Sequence, residues 1–497
     1  ITHAELAVTN DGKFLGFKNE TIANLGAYAR VFGTVTPTYL FGPCATGVYV
    51  IPAAYSNVKA VYTNTAPVDA YRGAGRPEAT YTIERLVEKA ALELGIDRTE
   101  IRMKNFPTEF PFKQTLVHTV DSGDYVAGLK KAKEMADYDG FEARRKKSAA
   151  NGKLRGIGVS SYFEACGIAP SAVVMSLGCG VGLWESSEVR FNPTGQVSVY
   201  TGAHSHGQGH DTTFAQIAAD ELGVGLDVVD VVHGDTDKGT FGMGTYGSRS
   251  LAVGGIAIVN ACKKIVAKGK RVAAKMLEVS EDEIDFKDGE FVVAKSNKKK
   301  TIGEVAFACY LPGSRDSDFK SPLPEGEEPG LIESSFFDPA NFSFPAGSHI
   351  AEVEIDPETG EVKVEKYTAV DDFGRIVNPL VVEGQVHGGI AQGIGQALHE
   401  NTEYDETGQL VTASYMDYTM PRADNFPEFN LGFTCTHATS NPLGVKGCGE
   451  AGAIASPPTV MNAVIDALGG QEISMPATAE KVWKACKAIK KTNSKAA

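Results

Sequence analysis

Residues Ser187–His210 read SEVRFNPTGQVSVYTGAHSHGQGH and run into DTTFAQIAADEL, which ends at Leu222. Apolar residues alternate on both sides of Asn192-Pro193-Thr194-Gly195, whose Asn, Pro and Gly supply the backbone angles of a tight turn. A β-hairpin is therefore predicted, followed by a Gly-rich segment and a helix that stops at Gly223. The same plan recurs in Ala4–Tyr28 around Asn10-Asp11-Gly12, and in Ile350–Gly374 around Pro357-Glu358-Thr359-Gly360. This repetition predicts related β-rich units whose loops converge on one site.

Helical periodicity places further helices at Glu78–Leu94, Val253–Leu277, Thr459–Leu468 and Thr478–Ile489. The class is α+β, with mixed β-sheets and packed helices in an elongated, multi-unit arrangement. Charge-rich or Pro/Gly-rich stretches at Asn105–Gly156 and Pro312–Pro329 divide the chain into units 1–140, 141–330 and 331–497.

The chain has 497 residues, 42% of them hydrophobic, enough for two to four packed units and incompatible with disorder. Its net charge of −14 repels phosphate backbones, and no basic stripe offsets it, so nucleic acid is not an expected partner. No apolar run approaches the roughly 18 to 20 residues that span a bilayer, so no membrane span is expected. Eight cysteines without C-x-x-C spacing argue against a zinc ribbon or iron–sulfur cradle and fit reduced thiols in a cytoplasmic protein.

Five segments carry candidate chemistry. Gly242-Met243-Gly244-Thr245-Tyr246-Gly247 matches G-x-G-x-x-G but lacks the strand before it and the acid after it that a dinucleotide fold needs. Ser248-Arg249-Ser250 opens a helix, either as an ordinary cap or as a phosphate site made by free N–H groups and an arginine. His204-Ser205-His206-Gly207-Gln208-Gly209-His210 packs three of ten histidines together, as a loop, a cofactor cradle or a zinc site. Glu450 stands among Gly447, Gly449 and Gly452, where low polarity would raise its pKa toward that of a general base; a solvated turn is the bland alternative. Arg72 and Arg76 on the turn AYRGAGRPE offer forked hydrogen bonds, or simple ion pairs with Glu78 or Glu84. Finally, Gln385 and Gln392 fall on one face of a small-residue helix from Glu383 to Gly395.

In this order, VYTNTAPVDAYRGAGRPEATYTIERLVEKAALELGID, SSYFEACGIAPSA, TGAHSHGQGHDTTFAQIAADELG, GDTDKGTFGMGTYGSRS, AVDDFGRIVNPLVVEGQVHGGIAQGIGQA and NPLGVKGCGEAGAIASPP resemble the molybdenum-binding large subunit of the xanthine oxidase family. The likeness runs along essentially the whole chain and is strongest to the branch holding aerobic carbon monoxide dehydrogenases and bacterial aldehyde or N-heterocycle oxidoreductases. It implies a molybdopterin-binding fold and a molybdenum hydroxylase that oxidises an aldehyde or N-heteroaromatic carbon with water as oxygen source. It also implies that the metal is held by molybdopterin cytosine dinucleotide and has no protein ligands. By the same likeness Glu450 matches the catalytic base, and Arg72 the loop arginine that positions substrate. Gly207, Gln208, Gly209, His210, Gly247, Ser248, Arg249, Ser250 and Gln392 match the cofactor cradle, and Lys446, Gly447, Cys448 and Gly449 line the approach to the base.

Partners implied are an iron–sulfur subunit with [2Fe–2S] clusters and an FAD subunit, in a dimer of heterotrimers. Two departures stand out. Relatives that oxidise carbon monoxide carry AYRCSFR and bind copper through its cysteine; Gly73 occupies that position here. The family's large subunit also extends further at its N-terminus, so this chain is expected to lack that part. Two rival readings are an incomplete, non-catalytic fragment of such a subunit, and a metallohydrolase using His204, His206 and His210. Substrate selectivity is expected from loops such as Phe110–Thr115 and Phe163–Ser171.

Overall fold

The computed structural model describes residues 1–168, 170–176, 178, 180–239, 241–311 and 321–496, with side chains described up to residue 489. Cys179, Ala169 within the expected selectivity loop, and residues 312–320 of the expected second boundary fall outside the described residues.

All three predicted hairpins form, with strands Thr2–Val8 and Phe14–Asn24, Glu185–Phe191 and Val197–Thr201, and Ala346–Ile355 and Val362–Asp372 paired antiparallel. Each is extended into a mixed sheet. Ala53–Val61 adds parallel to the first and Val229–Val232 parallel to the second, while Leu331–Phe337 flanks its other edge. The third hairpin lies between Phe429–Thr434, parallel, and Leu154–Phe163, antiparallel. Leu154–Phe163 falls within the expected unit 141–330, yet it pairs with a strand of 331–497. The reason is burial: from Gly156 onward every residue is covered, so the strand needs partners on its edge and layers on both faces.

Three large apolar cores and two small clusters follow among the described residues. The first large core gathers residues from Phe14 to Ala165 with Phe342 to Val370, the second spans Val189 to Leu331, and the third spans Tyr162 to Cys486. The first long helix, Arg76–Leu94, begins with Pro77 in its opening turn and ends on Gly95 in the left-handed region, the usual asymmetry of start and stop signals.

Helices Arg98–Asn105, Tyr125–Met135, Phe141–Ala150 and Ile302–Cys309 are not among those expected, the last helix runs on to Ala496, and two further differences bear on the packing. The helix expected from Thr459 starts at Ala451 and runs through Pro457 and Pro458. Prolines ordinarily end a helix; here close packing holds it. A methyl at Gly393 of the helix Pro379–Leu398 would sit 1.6 Å from Ser456 Oγ, and one at Gly158 would sit 2.1 Å from the Thr459 carbonyl oxygen. The helix is thus pressed between a strand and a neighbouring helix at positions where only glycine fits.

The second difference is the helical stretch Ser250–Leu277, a π-helical turn leading into the α-helix Ile256–Leu277. Contrary to expectation, it is long and apolar enough to cross a membrane, with mean hydropathy 1.5 over its most apolar window, although 67% of that window is buried by the rest of the chain. Its apolar face fills the second core through Ile258, Ala261, Cys262 and Ile265. That burial gives the apolarity a purpose within the fold.

Candidate active site

Glu450 follows the Gly-rich segment and caps the helix Ala451–Ala467. Its carboxylate is fixed from three directions. Oε1 accepts from the Gly73 N–H at 2.9 Å, while Oε2 accepts from Arg76 Nη2 at 2.6 Å and from the Ser248 hydroxyl at 3.3 Å. The Glu450 N–H donates in turn to Ser248 Oγ at 3.1 Å. Ser248 can reach both because its backbone takes a φ of +56°, unusual for a residue with a side chain.

This environment corrects the expected direction of the pKa. Burial does push the carboxyl up, but the Arg76 guanidinium, the Gly73 N–H and the Ser248 hydroxyl outweigh it, and the net value lies below the ordinary one. Its seat at a helix N-terminus favours the same ionised form. Glu450 is therefore a pre-ionised carboxylate. Of its two oxygens, Oε1 has the spare lone pair.

The turn Ala70–Glu78 divides its two arginines between tasks. Arg72 forms no ion pair with Glu78 or Glu84. It donates from Nε to the Gly449 carbonyl, from Nη1 to Gln392 Oε1 at 3.1 Å, and from Nη2 to the carbonyl and Oε1 of Gln385 at 2.9 and 3.0 Å. Arg72 thereby ties the loop before the base to the helix carrying both predicted glutamines. Arg76 reaches Glu450 and also Glu164 Oε1 at 3.3 Å.

A cavity of about 890 Å³ opens in front of Glu450. Gly207, Gln208 and His210 line one side, Gly247 through Ser250 another, and Gly447 through Gly449 with Arg72, Gln385 and Gln392 a third. Gly207 has a φ of +97°, and a methyl there would meet no protein atom within 4 Å, so its backbone faces open space. His210 stacks on Phe214 with a centroid separation of 5.0 Å; burial lowers its pKa to about 4, and Nδ1 is buried with no hydrogen-bond partner. A polar heteroaromatic group suits such a cradle. It would satisfy the orphaned imidazole nitrogen and fill the space in front of the glycines.

Several predicted residues take other roles. Arg249 is turned inward, with its guanidinium bonded to Glu185 Oε2 at 2.8 Å and to the carbonyls of Gly244, Trp184 and Gly167, so it is not available to a phosphate. Lys446 is buried and donates to Thr436 Oγ1 at 2.9 Å and Asp372 Oδ2 at 3.4 Å, away from the cavity. The Gln208 amide is held within its own loop by the His206 N–H and the His204 carbonyl. Ser250 bonds to Thr245 Oγ1 at 2.9 Å.

The histidines do not assemble as a zinc site. His204 and His206 face each other through Nδ1 at 3.0 Å, His210 is packed on Phe214, and no group of three or more ligand-type side chains converges among the described residues. Of the three Gly-rich segments behind the hairpins, the second and third lead into the cavity. The first does not, because the earliest lining residue is Ala70.

Sequence reasoning missed Glu164 and the contact of Arg76 with Glu450. The signals were present: a lone acid ending the buried strand SSYF, and a second arginine four residues after Arg72 where a helix begins. A second, apolar cavity of about 460 Å³ lies on the other side of Arg76, lined by Cys44, His118, Ile168, Tyr246 and Phe342. Ala165 and Ile168 of the expected selectivity loop line it, whereas Val117 and His118 replace the expected residues 110–115.

A glycine-lined polar cradle in front of one ionised carboxylate is a site suited to a bound polar cofactor. The chain matches the molybdopterin cofactor-binding domain over residues 1–106 and 131–427, and it belongs to the molybdenum-binding large subunits of the xanthine oxidase family. It is 40% identical over 495 residues to the carbon monoxide dehydrogenase large chain of Hydrogenophaga pseudoflava, covering 97% of this chain and 60% of that one. It is 36% identical to the nicotine 6-hydroxylase large subunit of Paenarthrobacter nicotinovorans, covering 98% and 59%. Quinoline 2-oxidoreductase from Pseudomonas putida 86 superposes with a TM-score of 0.91 at 36% identity, covering 98% of this chain and 62% of that structure. The chain thus spans about three-fifths of the length of these relatives.

Proposed function

We propose that this chain forms the catalytic portion of a molybdenum hydroxylase that oxidises an aldehyde or an N-heteroaromatic carbon, using water as the oxygen source. The observation that carries this reading is Glu450, fixed and ionised at the wall of the polar cavity. Gly207–His210, Gly247–Ser248, Gly447–Gly449 and Gln392 would hold a molybdopterin, in its cytosine dinucleotide form by family likeness. When bound, that group supplies the two-electron oxidant.

The chain's own residues supply proton handling and order. Oε1 of Glu450 takes the proton of the water-derived nucleophile, since Oε2 is already engaged by Arg76 and Ser248. Arg72 holds the Gly449–Glu450 segment against the helix bearing Gln385 and Gln392, which keeps the base at a constant distance from the cradle. The apolar cavity beside Arg76 suits an uncharged carbon substrate.

Gly73 disfavours a copper-dependent carbon monoxide site. It has no thiol, and with a φ of +98° even a methyl would sit 2.3 Å from Pro77 Cγ. Electrons would leave through partner iron–sulfur and FAD subunits. Anaerobic mixing of the assembled complex with a panel of aldehydes and heteroarenes, monitored by flavin bleaching, tests the proposal. Bleaching by members of the panel supports it; a molybdenum-loaded complex that none of them reduces would overturn it.

A further inference from the structure

Glu164 is the last acid before the Cys166–Gly167 turn, placed by its N–H on the Pro345 carbonyl at 2.8 Å. It is 0% exposed. One guanidinium, that of Arg76, contacts two buried carboxylates: Glu450 at 2.6 Å and Glu164 at 3.3 Å. Their surroundings are unequal. Glu450 accepts from Arg76, the Gly73 N–H and Ser248, sits at a helix start and keeps 13% of its side chain exposed. Glu164 has the single longer contact, and its Oε2 is buried without any hydrogen-bond donor.

A bare carboxylate oxygen in a dry interior is costly, and two carboxylates sharing one cation at close range do not both stay ionised. The proton belongs on the oxygen with no donor. Resting on the reading of Glu450 as base, we propose that Glu164 is a positioning residue held as the neutral acid. As the neutral acid it leaves the charge of Arg76 to Glu450.

Other groups facing Glu164 do not alter this assignment. Arg72 acts on it electrostatically but directs its hydrogen bonds to Gly449, Gln385 and Gln392. The thiols of Cys44, Cys166 and Cys448 and the phenol of Tyr162 are all pushed up by burial and stay neutral. Burial, with Glu450 adding to it and Arg76 opposing, lifts Glu164 to about 8. Ionisation above that point would put a second negative charge beside the base and divide the hold of Arg76.

The test uses the assembled complex, as wild type, Glu164→Gln and Glu450→Gln. Infrared difference spectra recorded on raising the pH from neutral should show loss of a protonated carboxylic carbonyl band through about pH 8. Glu164→Gln should lack that band, and in Glu450→Gln, where the charge of Arg76 passes wholly to Glu164, its loss should move to lower pH. Turnover should fall through the same pH range in wild type, and the alkaline limb should vanish in Glu164→Gln. A merely structural glutamate would move neither signal.

The proposal is overturned by absence of the band in wild type, by its persistence in Glu164→Gln, or by a Glu450→Gln complex that shows no such band even when the titration starts from acid. If Glu164→Gln fails to fold, the wild-type band and the downward shift of its loss in Glu450→Gln still decide. The band is read without turnover, so a complex that shows it but oxidises nothing refutes the hydroxylase reading alone. A turning-over complex without it refutes only the assignment to Glu164.

Discussion

Two buried arginines in this molecule each bridge a pair of glutamates, and the contrast between them separates structure from chemistry. Arg102 lies in the first core, where Nε and Nη2 fork onto Glu84 at 2.9 and 2.7 Å and Nη1 reaches Glu88 at 3.2 Å. Its remaining N–H groups go to the carbonyls of Arg98 and Val159, and the Tyr49 hydroxyl completes Glu84. Nothing there is left over.

Arg76 has a buried Nε without a partner, a weak contact at 3.4 Å to the Ala165 carbonyl, and a neighbour, Glu164, with an orphaned oxygen. It also lies between a polar and an apolar cavity. Complete satisfaction marks a group that holds the fold; incomplete satisfaction beside open space marks one arranged for a reaction.

The comparison breaks first at Glu450. Glu450→Gln keeps the shape but removes the proton acceptor, and turnover of the complex should fall about 10²- to 10⁴-fold with pterin and molybdenum content unchanged. Near-normal turnover would reassign the base. In the other cluster, Arg102→Met leaves the buried Glu84 without its cation while Arg98 still reaches Glu88 at 2.9 Å, and calorimetry should show a loss of about 3–5 kcal/mol of stability with little change in turnover per folded molecule. A change in turnover with unchanged stability would erase the distinction between the clusters.

Arg72→Ala removes several charge-assisted hydrogen bonds and should lower kcat/KM on the order of 10- to 100-fold while pterin is retained. Emergence of the variant without pterin would make Arg72 a cofactor residue. The smallest effect is a flat line. Because the Glu450 pKa is lowered, its ionised form persists as pH falls past the ordinary glutamate value of 4.5, so kcat/KM should show no Glu450 limb between pH 5 and 7. The stabilisation from its ion pair follows the same sign, present above that value and lost only as pH drops through the lowered one. An acid limb near pH 6 that disappears in Glu450→Gln would contradict this ordering.

Much of the architecture was legible because hairpin turns and helix stops are local. Asn10-Asp11-Gly12 and Gly95 announce themselves by backbone chemistry that no distant residue can change. The helix Ala451–Ala467 was only half legible, since Pro457 and Pro458 read as a stop until Gly393 and Gly158 are brought against them from remote parts of the chain. The site divides in the same way. The Gly-rich loops and Glu450 were visible as motifs, but the direction of the Glu450 pKa depends on Arg76, 374 positions away, and on Ser248, 202 positions away. Arg249 and Lys446 mislead for the converse reason: a basic residue in a motif looks available until its internal partners Glu185 and Asp372 are known.

The close seating of Gly393 against Ser456 reaches further than packing. Glu450 is the cap of the helix that Ser456 belongs to, so one extra carbon at Gly393 must shift that rod and carry the carboxylate with it. A search for impaired variants should therefore recover substitutions along the rear seam between these two helices, at sites touching neither cavity. Their defect would be one of aim: the enzyme would remain loaded and folded, but its proton acceptor would be misdirected.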